Sequence, residues 1–107
     1  MKWTILFYKG VGETILHDWP IGIRTKFIWT TTLLEIHGPE HLGMPYIKAL
    51  GKGLFEIRAQ GKEGIGRAFF CILNDKQIFV LSAFIKKTQK APTREINLAM
   101  KRLKELK

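Results

Sequence analysis

Polar and apolar residues alternate strictly from Phe55 to Gln60, with Phe55, Ile57 and Ala59 set against Glu56, Arg58 and Gln60. Successive side chains of a strand point to opposite faces, so this segment predicts a strand with Arg58 turned away from its apolar face. Gly61, Gly64 and Gly66 supply a flexible turn, after which residues 67–73, RAFFCIL, are apolar on both faces, as a central strand requires. Asn74, Asp75 and Lys76 carry turn chemistry, and residues 77–84 predict a third strand. Three closely connected strands predict an antiparallel meander.

The flanking segments read as cover for this sheet. Trp3, Ile5 and Phe7 alternate with Lys2, Thr4 and Leu6, predicting an N-terminal strand that Gly10 and Gly12 end. Residues 13–19 predict a short helix, and Asp18 ahead of Pro20 reads as a start signal for the next one. From residue 21 to 37, Ile23, Phe27, Thr30 and Leu34 follow helical spacing, although the β-branched Thr30, Thr31 and Thr32 lower the propensity. Gly38, Pro39, Gly43 and Pro45 then predict a loop over 38–46. At the C-terminal end Pro92 suits a first-turn position, and Ile96, Ala99, Met100, Leu103 and Leu106 recur at helical spacing. The expected fold class is α+β: a mainly antiparallel twisted sheet, made of an N-terminal strand plus the meander, with N-terminal helices packed on it and a C-terminal helix.

A length of 107 residues, without a composition break, predicts one domain over 1–107. Eighteen Lys and Arg against nine Asp and Glu leave a net charge of +9, and such a field favours polyanionic partners. The longest uncharged apolar stretch, residues 77–85, is less than half of the roughly 20 residues a membrane-spanning helix needs. The opening decapeptide has too short an apolar run for a signal peptide, and the one cysteine, Cys71, reads as a small buried hydrophobe. Both features lead us to expect a cytoplasmic protein.

Most catalytic chemistries find no support. His37 and His41 are four apart but separated by Gly38 and Pro39, so they cannot form a helical metal-ligand pair, and His17 stands alone. Ser82 lacks a nucleophile elbow, Cys71 has no neighbouring cation in sequence, and Gly51-Lys52-Gly53 is neither a Walker loop nor a dinucleotide fingerprint. No metal or cofactor is expected. What remains are cations on strands: Arg58 and Arg67 on adjacent strands, with Lys86 and Lys87 just beyond the third. Metal-free RNA cleavage must deprotonate a 2′-OH, stabilise a phosphorane and protonate the departing 5′ oxygen. Arginine suits the second task through its fixed fork of donors, and lysine can serve as acid or base where neighbouring charge lowers its pKa. Spacing alone leaves open catalysis, plain polyanion binding, and a simple Glu56–Arg58 ion pair. Phe84, beside the basic cluster, is the candidate for stacking on a base.

Residues 44–104, with Pro45-Tyr46, Lys48-Ala49-Leu50, GLFEIR at 53–58, Arg67 in a strand, FIKKTQKAP at 84–92 and Glu95-Ile96 ahead of Ala99, resemble the phage-derived HigB-type branch of the RelE/ParE toxin superfamily. The resemblance implies a RelE-like fold and the toxin of a type II toxin–antitoxin pair. It implies an endoribonuclease that cuts mRNA in the ribosomal A site, held in check by a cognate antitoxin, a helix-turn-helix protein. By position it implies phosphate binding by Arg58, transition-state stabilisation by Arg67, and an acid or phosphate clamp at Lys86 and Lys87. Glu56 stands where the RelE branch has a lysine proposed as base and is the candidate for that role, since no tyrosine follows the last strand. Lys52 and Lys90 complete the candidate phosphate-binding cations. Two other readings share these features: a ParE-like toxin that binds DNA gyrase without cutting RNA, and a plain RNA-binding module.

Overall fold

The structure is a computed structural model that describes residues 2–43, 46–86 and 93–106. Among them, β1 (Thr4–Phe7) leads into α1 (Val11–Asp18) and α2 (Ile21–His37), followed by a 3₁₀ turn at Pro39–His41. Then come β2 (Ile47–Gly51), β3 (Leu54–Gly61), β4 (Gly64–Ile72), β5 (Gln77–Lys86) and α3 (Thr93–Glu105). The strands form one mixed sheet in the order β1-β5-β4-β3-β2. β1 lies parallel to β5, and every other pair is antiparallel. The meander, the N-terminal strand and the α+β class are as expected.

The structure adds one strand that the pattern did not announce. In β2 only Ile47 is buried and the next four residues are exposed, because this strand forms the sheet's edge and needs no alternation. A second correction concerns the face that carries Arg58, which is not simply the outer one. Both faces of the sheet are packed. On one, Ile57, Ala59, Ala68, Phe70, Ile78 and Val80 meet Ile15, Ile23, Phe27 and Leu34 from α1 and α2, with Trp19 from between those helices. On the other, Leu54, Phe69, Cys71 and Leu81 meet Ala99 and Leu103 of α3.

Local chemistry explains how α2 holds its place. Its three consecutive threonines turn their hydroxyls back onto the helix, Thr30 donating to the Lys26 carbonyl at 2.9 Å and both Thr31 and Thr32 to that of Ile28. Asp18 does not start α2; it ends α1, and Pro20 occupies the N-cap position with no side-chain cap. Gly38 terminates the helix at φ +80°, with its N–H bonded to the Leu34 carbonyl. The start of α2 crosses the β3–β4 hairpin so closely that a Cβ on Gly66 would lie 2.6 Å from both Ile23 and Trp19. Pro92, read as a first-turn residue of the last helix, lies outside the described residues.

α3 is fastened from both sides. Ala99 and Leu103 are buried, Arg102 donates to the Leu81 carbonyl at 2.6 Å, and the Arg102 guanidinium stacks 4.2 Å from the Tyr8 ring centre. Tyr8 in turn donates to Glu105 at 2.8 Å, and this bond, which favours the protonated phenol, raises the Tyr8 pKa above its ordinary value.

Candidate functional site

β5 carries a register shift that decides what the site contains. Phe69 pairs with Ser82 but Phe70 pairs with Val80, so Leu81 is an extra residue in the ladder. A bulge of this kind reverses the facing of everything beyond it. Before the bulge Phe79 and Leu81 face α3; after it Ala83 and Ile85 join the α1/α2 side while Phe84 packs on the α3 side. Lys86, two residues past Phe84, therefore shares the face of Arg67 and Arg58.

On that face Arg58 and Arg67 are direct cross-strand partners, and Glu56 pairs with Phe69 one step along. Diagonal neighbours on an antiparallel pair are within reach of long side chains. Arg67 uses this reach: its Nη1 donates to both Glu56 oxygens, at 3.0 and 2.9 Å. The side chains are only 11% and 5% exposed, so this is a desolvated, charge-assisted pair. Glu56 thus bonds Arg67 across the ladder, and the Arg58 ion pair that sequence spacing left open does not form. The Arg67 Nε is buried without a hydrogen-bond partner, which leaves part of the fork uncommitted.

Lys86 lies at the end of β5 opposite Ile65, half-buried. Its pKa is lowered from the ordinary lysine value, first by loss of solvent and then by the positive charges of Arg67, Arg58 and Lys48, against an opposing pull from Glu56. Arg58, Arg67, Lys86 and Glu56 are therefore gathered at one place. Lys48, which pairs with Glu56 from β2, joins them. Sequence reading missed its role because β2 itself was not visible.

The remaining candidates fall elsewhere. Lys52 sits at φ +56° in the β2–β3 turn, past Leu54, the first residue of β3, which is itself about 14 Å along the sheet from Arg58. Phe84 is paired with Arg67 in register, but its ring packs against Phe69 at 5.4 Å and belongs to the α3 core more than to an open platform. Lys87 and Lys90 lie outside the described residues.

Beside the cations, where β3 runs past the start of β2, a cleft of about 370 Å³ is lined by Lys26, Tyr46, Arg58 and Gln60. The Lys26 ammonium lies 4.6 Å from the Trp29 ring centre and 5.9 Å from that of Tyr46. The two rings meet edge to face at 5.4 Å. Lys26 and Tyr46 come from elements that only the fold brings to β3, so nothing in their spacing marked them. Among the described residues no group of three or more His, Cys, Asp or Glu is placed to hold a metal ion, and no helix is long and apolar enough to cross a membrane.

Residues 14–104 match the profile of a family described as phage-derived protein Gp49-like. No functionally curated protein matches the chain. Among solved structures, the chain superposes on a double mutant of the E. coli toxin RelE in the free state with a TM-score of 0.64, at 11% identity, covering 96% of this chain and 99% of that one. It also superposes on a chain of the archaeal RelE–RelB complex from Pyrococcus horikoshii, with a TM-score of 0.59 at 20% identity, covering 81% of this chain and 98% of that one. At such identities the likeness is one of fold. Together with the profile match over most of its length, it means that the chain belongs to the phage-derived Gp49-like family and is built on the fold of the RelE-like toxins.

Proposed function

We propose that this protein is the toxin of a type II toxin–antitoxin pair and that it blocks translation by cutting mRNA in the ribosomal A site, through a 2′-OH route that needs no metal. The observation that supports this most is the gathering of Arg58, Arg67 and Lys86 on one sheet face around Glu56. The phosphorane and the departing oxygen each have a group suited to them, and the 2′-OH proton is left to Glu56 as the candidate base. Attack of the 2′-oxygen on phosphorus builds negative charge on the phosphorane, and Arg67, held in one orientation by Glu56, meets that charge with donors already aligned. Arg58 and Lys48 hold the adjacent phosphate. Loss of solvent and the neighbouring positive charges make Lys86 a stronger acid than an ordinary lysine, which suits it to protonate the departing 5′ oxygen. Glu56 remains the candidate base, but its two oxygens are engaged by Arg67, and orienting that arginine is the role its contacts favour. Lys52, Lys87 and Lys90 would add phosphate contacts farther along the RNA, with Phe84 beside Arg67 in register.

A cognate antitoxin, of the helix-turn-helix type implied by the HigB-like resemblance, would silence the protein by covering this cationic face. The P. horikoshii structure with the same fold, a RelE–RelB complex, supports the existence of such a partner. The pair would act in the cytoplasm, where mRNA is translated.

The test is induced expression in bacteria with transcript 5′ ends mapped before and after, comparing wild type with Arg58→Ala and Lys86→Ala. Both residues are only half-buried, so the variants should fold. We expect new 5′ ends within translated codons for wild type and their loss in both variants. Growth arrest with intact transcripts would overturn the reading, and inhibited gyrase supercoiling in the same cells would put the ParE-like reading in its place.

A further inference from the structure

Of the cleft lined by Lys26, Tyr46, Arg58 and Gln60, only Arg58 takes part in the steps above, and its walls have an unusual mixture. We propose that it is a nucleotide subsite: it holds one RNA nucleotide next to the scissile linkage, its base against Tyr46, its phosphate between Lys26 and Arg58, and its base edge read by Gln60. This rests on the reading of the protein as an RNA-cutting toxin, but the binding step can be measured without any cleavage.

Five observations lead there. A space of about 370 Å³ is large enough to admit a nucleotide. Tyr46 presents an aromatic wall braced by Trp29, which meets it edge to face at 5.4 Å, so the ring is held in place before a base arrives. Lys26 is poised over both rings and carries a charge that a phosphate can draw off them. Arg58 borders both this cleft and the Arg67–Lys86 cluster, so a nucleotide in the cleft would be continuous with one at the cluster. Gln60 is exposed at the open end of β3 and offers both an acceptor and donors, the pairing needed to tell one base edge from another. Stacking on an aromatic ring is tolerant of sequence. Discrimination would therefore come from Gln60 and affinity from Tyr46.

Two arms test the proposal. In the first, short single-stranded RNAs made uncleavable by 2′-O-methylation, with 5-iodouridine at each position in turn, are irradiated with the purified protein and the adducts mapped by mass spectrometry. We expect one position to cross-link to Tyr46 or Trp29. In the second, Tyr46→Ala and Gln60→Ala are compared with wild type by fluorescence titration of the same RNAs and by 5′-end mapping in cells. Tyr46→Ala should weaken binding about 5- to 150-fold, the range of one lost base–aromatic stack. Gln60→Ala, at an exposed position that cannot unfold the chain, should redistribute cleavage among codons. Cross-links confined to other aromatics, or an unchanged codon distribution in Gln60→Ala, would overturn the subsite. If wild type cross-links at Tyr46 but never cuts, the endonuclease reading fails while the nucleotide site stands.

Discussion

Replacing Arg67 with alanine should cost this protein its stability before it tells anything about catalysis. The Glu56 side chain is 5% exposed and both its oxygens take their bonds from Arg67 Nη1. Removing the arginine leaves a buried carboxylate without the one counter-charge hydrogen-bonded to it, which costs about 3–5 kcal/mol. Stability for a domain of this size is about 5–15 kcal/mol, so the variant would be marginal. Near the transition about 4–5 °C is lost per kcal/mol for a chain of this length, giving a melting point lower by about 12–25 °C. The same principle predicts that replacing both partners with apolar residues of similar volume, Glu56→Leu with Arg67→Met, is close to neutral, because no charge is left stranded. Urea unfolding of wild type, Glu56→Leu, Arg67→Met and the double variant closes the cycle, with Arg67→Ala measured beside them. A loss under about 1 kcal/mol for Arg67→Ala, or a double variant no better than it, would refute the pair as a desolvated unit. The double variant also separates scaffold from chemistry: folded yet unable to cut mRNA, it would tie the Glu56–Arg67 pair to the reaction.

Three further outcomes follow from the geometry. Gly66→Ala would drive a methyl group to 2.6 Å from Ile23 and Trp19, so overpacking should destabilise the fold by about 1–3 kcal/mol in chemical denaturation. Arg102→Ala removes both the bond to the Leu81 carbonyl and the stacking on Tyr8; we expect about 1–2 kcal/mol lost and faster amide exchange in α3 than in the meander. Lys86, lowered from 10.5 by burial and then by Arg67 and Arg58, should give the cleavage rate an alkaline limb that starts below 10.5, because the acid form is the one needed. Lys86→Arg, whose guanidinium stays protonated, should push that limb out of range. Folding carries the matching sign: between the lowered value and 10.5 the unfolded chain holds more protons, so stability rises with pH across that window, and a urea series on Lys86→Met should lack that rise.

The local signals in the chain determined its elements. Alternation in Phe55–Gln60, the two-sided apolar run of β4 and the spacing of Ile23, Phe27, Thr30 and Leu34 each specify a period that only one element type can bury. Residue types also marked Arg58, Arg67 and Lys86, since cations inside apolar strands are hard to place without a use. Tertiary structure decided the rest, for reasons that local periodicity cannot carry. β2 is an edge strand with no inward face to advertise. Glu56 bonds Arg67 instead of Arg58 because the diagonal across two strands brings side chains together that are eleven residues apart. Strict alternation along β5 would put Phe79, Leu81, Ala83 and Ile85 on one face; the bulge at Leu81 turns Phe84 and Lys86 onto it instead. A bulge exists only through the partner strand's register, so the one lysine whose facing matters most was settled by packing, not by pattern.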